Sequence, residues 1–166
     1  MRHHLTNACL GFALTAYLCI GTLANCQTAN PTPAIGVHAD RSADVRFFNK
    51  SDVTNSFQKG DTLVVGTNYR VMTSKRDQAG EVELHAKYTD VFYIVEGNAT
   101  IVVGGQLIGQ KSSDPDELRG TSIQGGEIRQ LSAGEVIVIP AGIPHRISRV
   151  EPPFHYFVVK VQIPAQ

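Results

Sequence analysis

From Asp61 onward the chain reads as a succession of short strand-like runs that no helical period interrupts, and this limits the fold more than any other feature. "NYRVMTSKRD", "EVELHAKY", "DVFYIVEG", "ATIVVGG", "EVIVIP", "HRISRV" and "FHYFVVKVQI" are rich in β-branched and aromatic residues and are separated by glycine, proline or charge. Many short strands with turn signals between them predict a sandwich or small barrel rather than a parallel α/β sheet. "EGNA", Glu96 to Ala99, reads as a tight hairpin turn. Residues 105–126, polar and glycine-rich without a period, read as an insertion or long loop between two halves.

The residues ahead of this region have a different character. Arg2, His3 and His4 precede an almost uncharged apolar run, Ala8 to Ala24, which has the length of a signal-peptide core and is short for a membrane span. Residues 1–26 are therefore expected to be a signal peptide and the product to be secreted or periplasmic. "Leu23-Ala24-Asn25-Cys26" also resembles a lipobox, so a lipoprotein tethered to the membrane through Cys26 stands beside that expectation, as does a retained anchor. Cys9 and Cys19 fall in the same segment, which leaves the mature domain at most one cysteine, and its stability must come from apolar burial rather than an internal disulfide. Residues 27–60 are expected to be a linker and a short helix from Ser51, with Val53 and Phe57 on one side and Gly60 as its stop. Residues 61–166 form the β domain. Fifteen basic residues balance fifteen acidic ones, so no electrostatic footprint for nucleic acid is present and none is expected as a partner.

The chemistry-bearing residues fall into two stretches. In "VELHAKYTDVFYIVEG", strand alternation puts Glu83, His85 and Lys87 on one face, and Asp90 follows at the start of the next strand. In "GEVIVIPAGIPHRISR", Gly134 opens a strand, Pro140 closes it, Gly142 and Pro144 make the turn, and His145 begins the returning strand. Together these stretches resemble the paired motifs of the cupin superfamily. The first motif runs glycine, H-x-H, a glutamate a few residues on, and a glycine after six more. Gly80, His85, Asp90 and Gly97 take those places, with Lys87 at the second histidine and Asp90 at the glutamate. The second motif, G-x5-P-x-G-x2-H-x3-N, is matched by Gly134, Pro140, Gly142 and His145, with Arg149 at the closing asparagine. The resemblance covers Asp61 to Ile163. It implies an all-β fold, a cupin-type jelly-roll β-barrel (double-stranded β-helix) with a short N-terminal helix, an interior metal site at one end, a small-molecule ligand and a possible homodimer. Cupins carry out many reactions, so membership alone does not select one.

Two site arrangements follow. In the first, His85, Asp90 and His145 hold a divalent cation, Fe, Mn or Zn, with Lys87 beside it. Lys87 and Tyr93 would then be the catalytic residues of an oxygenase-, isomerase- or lyase-type enzyme acting on a small oxygen-rich or carboxylate substrate. In the second, the Lys87 ammonium pairs with Asp90 or Glu83 in place of a metal, and the protein is a non-catalytic ligand-binding or scaffold cupin. A protonated lysine has no lone pair with which to coordinate, so the position of Lys87 decides between them. Tyr88, Arg129 and Arg149 are candidates for contacting substrate, the arginines through a carboxylate. His155 is expected to be structural. No nucleophile elbow, phosphate loop or CxxC element is present, which disfavours serine hydrolase, nucleotide and thiol-redox chemistry.

Overall fold

The computed structural model describes residues 45–111 and 114–164. The expected signal peptide, Cys26 and the linker up to residue 44 lie outside the described residues. Among the described residues one helix, α1 (Lys50–Lys59), precedes ten strands: β1 (Thr62–Val65), β2 (Tyr69–Arg76), β3 (Val82–His85), β4 (Tyr88–Val103), β5 (Gln106–Ile108), β6 (Glu117–Gly120), β7 (Ser122–Gln124), β8 (Glu127–Ser132), β9 (Val136–Ile139) and β10 (His145–Gln162). Among the described residues no helix is long and apolar enough to cross a membrane.

The short helix forms where the sequence places it, because both of its ends are satisfied locally. Asn49 accepts from the Asp52 amide at 3.0 Å while the Asp52 carboxylate accepts from the Asn49 amide at 3.3 Å, a reciprocal cap. At the other end Gly60 adopts φ 66° and its N–H returns to the Ser56 carbonyl. Phe57 is the side chain that docks the helix, stacking on His155 and meeting Phe157 edge-on, each at 5.2 Å between ring centroids.

Eight strands form one antiparallel sheet that doubles over itself, and β4 and β10 belong to both layers. In one layer β1, β2, the second half of β10, the first half of β4 and β9 lie side by side. In the other, β6, β3, the first half of β10, the second half of β4 and β8 do so. This is the expected jelly roll. The two layers close on a single core of Phe92, Ile94, Ala99, Ile101, Leu131, Ile139, Ile147, Phe154, Tyr156 and Val158. Each large side chain fully buried there stabilises the fold by roughly 1.5–3 kcal/mol.

Two expectations are corrected. "EGNA" is not a hairpin turn: β4 runs through it and bends from one layer into the other. The parity of the buried residues records the bend, since Asp90, Phe92 and Ile94 face inward before it and Ala99 and Ile101 after it. β10 bends opposite, at Pro152 and Pro153, which have no N–H to give the ladder, and its inward set changes from His145 and Ile147 to Phe154, Tyr156 and Val158. Gly97 has φ 80°, and a β-carbon there would collide with the Pro153 carbonyl oxygen. The second correction concerns residues 105–126. They are not one long loop but carry β5, β6 and β7, and β6 extends the second layer by pairing along β3.

Gly97→Ala is expected to lower the urea midpoint substantially, by at least about 3 kcal/mol in unfolding free energy, since it adds a backbone collision to the strain of a left-handed residue. Gly134→Ala, at φ 89° with nothing within 4 Å of the new carbon, carries the strain alone and should cost only about 1 kcal/mol. Equal losses would show that the crossing of β4 over β10 is not closely packed.

Candidate metal centre

The site is assembled by strand register. Glu83 and His85 are two apart on β3 and project to the same face. Across one edge of β3, His145 at the start of β10 stands opposite Glu83. Across the other, β6 sets Arg119 opposite Glu83 and Glu117 opposite His85. β3 ends at His85 because its next backbone groups are taken elsewhere: Gly142 donates to the His85 carbonyl and the Ala86 N–H to the Asp116 carbonyl, each at 2.9 Å.

Glu83, His85 and His145 each aim one donor atom at a common point, all three within 4.8 Å of one another. Glu83 Oε2 lies 3.5 Å from His85 Nε2 and 3.8 Å from His145 Nε2. Ligands about 2.0–2.2 Å from one cation stand about 3–3.5 Å apart, so small side-chain movements close the set around an ion. Both imidazoles are buried, and neither Nε2 has a hydrogen-bond partner. Their other nitrogens are engaged. His85 Nδ1 lies 2.6 Å from Glu117 Oε2 and His145 Nδ1 lies 3.2 Å from the Ile143 carbonyl oxygen. A carboxylate and a carbonyl only accept, so both Nδ1 atoms carry the proton and both Nε2 lone pairs point at the centre, the arrangement by which proteins orient metal-binding histidines.

The protonation states agree with this geometry. Burial pushes the Glu83 carboxyl up, but the Arg119 guanidinium and the charge that the neighbouring imidazoles take up in acid outweigh it and hold the group at about 2, so it is ionised near neutral pH. Burial pushes His145 below its usual value, more than the Ile143 carbonyl and the nearby carboxylates raise it, so the ring is neutral. A neutral imidazole and an ionised carboxylate are what a cation requires.

Asp90 is drawn into the same place but held differently. It is 2% exposed, with Oδ2 3.4 Å from His85 Nε2 and 3.8 Å from His145 Nε2. Both of its oxygens accept from Lys160 Nζ, at 2.9 and 3.1 Å. The site opens onto a cavity of about 570 Å³ whose walls include Arg70, Arg76, Tyr88, Phe92, Tyr156 and Arg146. Arg76 Nε donates to the Tyr156 hydroxyl at 2.8 Å, and the Arg70 guanidinium lies 5.5 Å from the Tyr88 ring centre. A larger cavity of about 710 Å³, on β8 and β9, is lined by no histidine.

His85, Asp90 and His145 thus converge as the sequence suggests, and Tyr88 lines the cavity. The other expected residues are elsewhere. Lys87 follows the end of β3, its side chain is 56% exposed, and its Nζ lies 2.7 Å from Asp116, whose hydrogen bond and charge raise its pKa. It neither borders a metal nor replaces one. Tyr93 falls on the outward parity of β4 and is 47% exposed. Arg129 lies on β8 against Glu127 at 2.6 Å, and Arg149, 73% exposed, lies 3.4 Å from Glu151. Because Lys87 leaves the strand face, the pair one residue apart that the first motif demands is Glu83-Leu84-His85 rather than His85-Ala86-Lys87. Sequence reasoning missed Glu83 as a donor, though its shared face with His85 was the available signal. It missed Glu117 and Arg119 because their segment looked like a loop. Nothing in the sequence pointed to Lys160. His155 lies 2.9 Å from Glu96 and under Phe57, away from the site.

A family model described as Cupin matches residues 70–166. No curated protein matches the chain. Among solved structures, the chain is similar to the protein BH2720 from Bacillus halodurans at 15% identity, over 76% of this chain and 88% of that one, with a TM-score of 0.55. It is also similar to the DMSP lyase DddQ from Ruegeria pomeroyi DSS-3 at 15% identity, over 58% of this chain and 40% of that one, with a TM-score of 0.42. For KdgF from Halomonas sp. the values are 17% identity, 63% and 79%, and a TM-score of 0.46. At 15% identity the likeness to BH2720 shows the fold alone.

The depressed pKa values set an acid sensitivity for the metal-free protein. The unfolded chain takes up a proton at position 145 at a higher pH than the native state does. Stability from the neutral ring is therefore complete above about 6.5 and declines as pH falls below it. Stability from ionised Glu83 is complete above about 4.5 and is lost as pH falls toward about 2. Calorimetry of chelator-treated protein should show the melting temperature falling in these two windows, with Glu83→Gln removing the lower one. A melting temperature flat from pH 7 to pH 5 would contradict the burial of neutral His145.

Proposed function

The chain belongs to the cupin family, and on that premise we propose that it is an exported small-molecule-binding protein that holds a divalent cation at Glu83, His85 and His145 and acts on its ligand as an enzyme. The observation that carries this reading is the pair of buried imidazole nitrogens, at His85 and His145, each without a partner and each held toward Glu83 by a hydrogen bond on the far side of its ring. Two nitrogens and one carboxylate suit iron, manganese or zinc and leave coordination positions for substrate or water. Such a cation would polarise an oxygen donor of the substrate.

The chain's own residues supply the rest. Glu117 and the Ile143 carbonyl keep the two rings in the coordinating tautomer. Phe92, Tyr156 and Val158 wall the cavity with apolar surface, which strengthens every charge interaction inside it. Arg76, fixed by the Tyr156 hydroxyl, and Arg70, beside Tyr88, place positive charge where the carboxylate of a small oxygen-rich substrate would bind. Oxygenase, isomerase and lyase chemistry all fit this apparatus. Export rests on the apolar run Ala8 to Ala24.

The Asp90–Lys160 pair favours a second reading, a metal-free ligand-binding cupin whose cavity carries its own cation. Metal analysis separates the two. Protein purified after supplementation with iron, manganese and zinc is expected to carry one equivalent, and His145→Ala and Glu83→Gln should each lose it. Glu117→Gln should weaken binding by about 10–100-fold by freeing the His85 ring. Lys87→Ala should leave it unchanged. Wild-type protein without metal above trace would leave the metal-free reading standing.

A further inference from the structure

We infer that Lys160 withholds Asp90 from the cation site, so that coordination falls to Glu83, His85 and His145 and the side occupied by Asp90 remains open; this rests on the metal reading above. By distance alone the two carboxylates are equivalent. Glu83 Oε2 lies 3.5 and 3.8 Å from the two imidazole Nε2 atoms, and Asp90 Oδ2 lies 3.4 and 3.8 Å from them. Their partners separate them. Glu83 meets Arg119 through its other oxygen, Oε1, at 3.3 Å, leaving Oε2 to the histidines. Asp90 has both oxygens on a single ammonium.

The Asp90–Lys160 pair follows from the fold. Lys160 stands directly opposite Asp90 across the β4–β10 ladder, and both lie on the inward parity of their strands. Asp90 is 2% exposed and Lys160 13%, so each charge is removed from water and requires the other. An ammonium has donors and no lone pair, and therefore occupies Asp90 without being able to take its place as a ligand. Lys160 also adds a positive charge close to the centre, which opposes cation binding. It is thus a positioning residue, acting through Asp90 on the ligand count and on affinity.

The test is titration of the purified, chelator-treated full chain with Zn²⁺ and with Co²⁺, whose visible spectrum reads its ligand set. Wild type is compared with Lys160→Met, Asp90→Asn and the double variant. The inference expects wild type, Asp90→Asn and the double variant to share one Co²⁺ spectrum. Lys160→Met should give a different spectrum and bind Zn²⁺ about tenfold more tightly, as Asp90 enters the set. An altered Co²⁺ spectrum in Asp90→Asn would show Asp90 already coordinating and overturn the inference. So would a Lys160→Met spectrum identical to wild type, which would reduce Lys160 to a charge effect. Should Lys160→Met fail to fold, the comparison of Asp90→Asn with wild type decides the matter alone: an unchanged spectrum supports the inference and a changed one overturns it. Absence of Zn²⁺ and Co²⁺ binding in every variant would overturn the metal reading itself, an outcome separate from a wild type that binds while its variants behave otherwise than expected.

Discussion

The pairing of β4 with β10 is the interaction on which the rest depends. Each strand crosses both layers, so a single antiparallel ladder, from Tyr88 opposite Gln162 to Val103 opposite His145, sets which residues face the interior. A slip of one residue would turn Phe92, Ile94, Phe154 and Tyr156 out of the core and, with them, Asp90 and Lys160 out of the site. The extra residues at the bends of β4 and β10 let the ladder fold over while the apolar side stays inward on both sides of the crossing. Core and site are therefore consequences of the same register, and the core's apolar burial supplies the free energy that holds charged groups where water is scarce.

Those charges are matched one by one. Arg119 faces Glu83, Glu117 faces His85, and Lys160 faces Asp90, and in each case the two members are opposite one another on neighbouring strands. Matching by register keeps the cost of desolvation from being left uncompensated. At the centre the Nε2 atoms of His85 and His145 have no hydrogen-bond partner; among the described residues the buried Arg119 Nη1 and His155 Nε2 also lack one. Lys87 is a useful contrast, since its pair with Asp116 sits in solvent, where such contacts contribute little.

The separation of the two carboxylates bears on what the cavity can do. A cation held by three protein atoms keeps positions for substrate, whereas a fourth ligand from Asp90 would close one of them. Lys160 keeps the site in the more open arrangement. It also sits in the wall of the same cavity as Arg70, Arg76 and Arg146, so the positive charge that these four residues offer a substrate comes from two strands, β2 and β10.

The sequence by itself determined the class of fold, because alternation of apolar and polar residues and the placing of glycine and proline act locally on the backbone. It also brought His85, Asp90 and His145 under suspicion, since the turn at Pro140 to Pro144 returns the chain at a defined residue. What it left undecided was every choice that depends on which strands become neighbours. Glu83 rather than Lys87 joins His85 because β3 stops at His85 when Gly142 and Asp116 take its next hydrogen bonds. Glu117 supports the ring because a glycine-rich stretch pairs with β3, and Lys160 meets Asp90 across a separation of seventy residues. Contacts between distant strands are set by the pairing of the whole sheet, and only the tertiary structure contains that pairing.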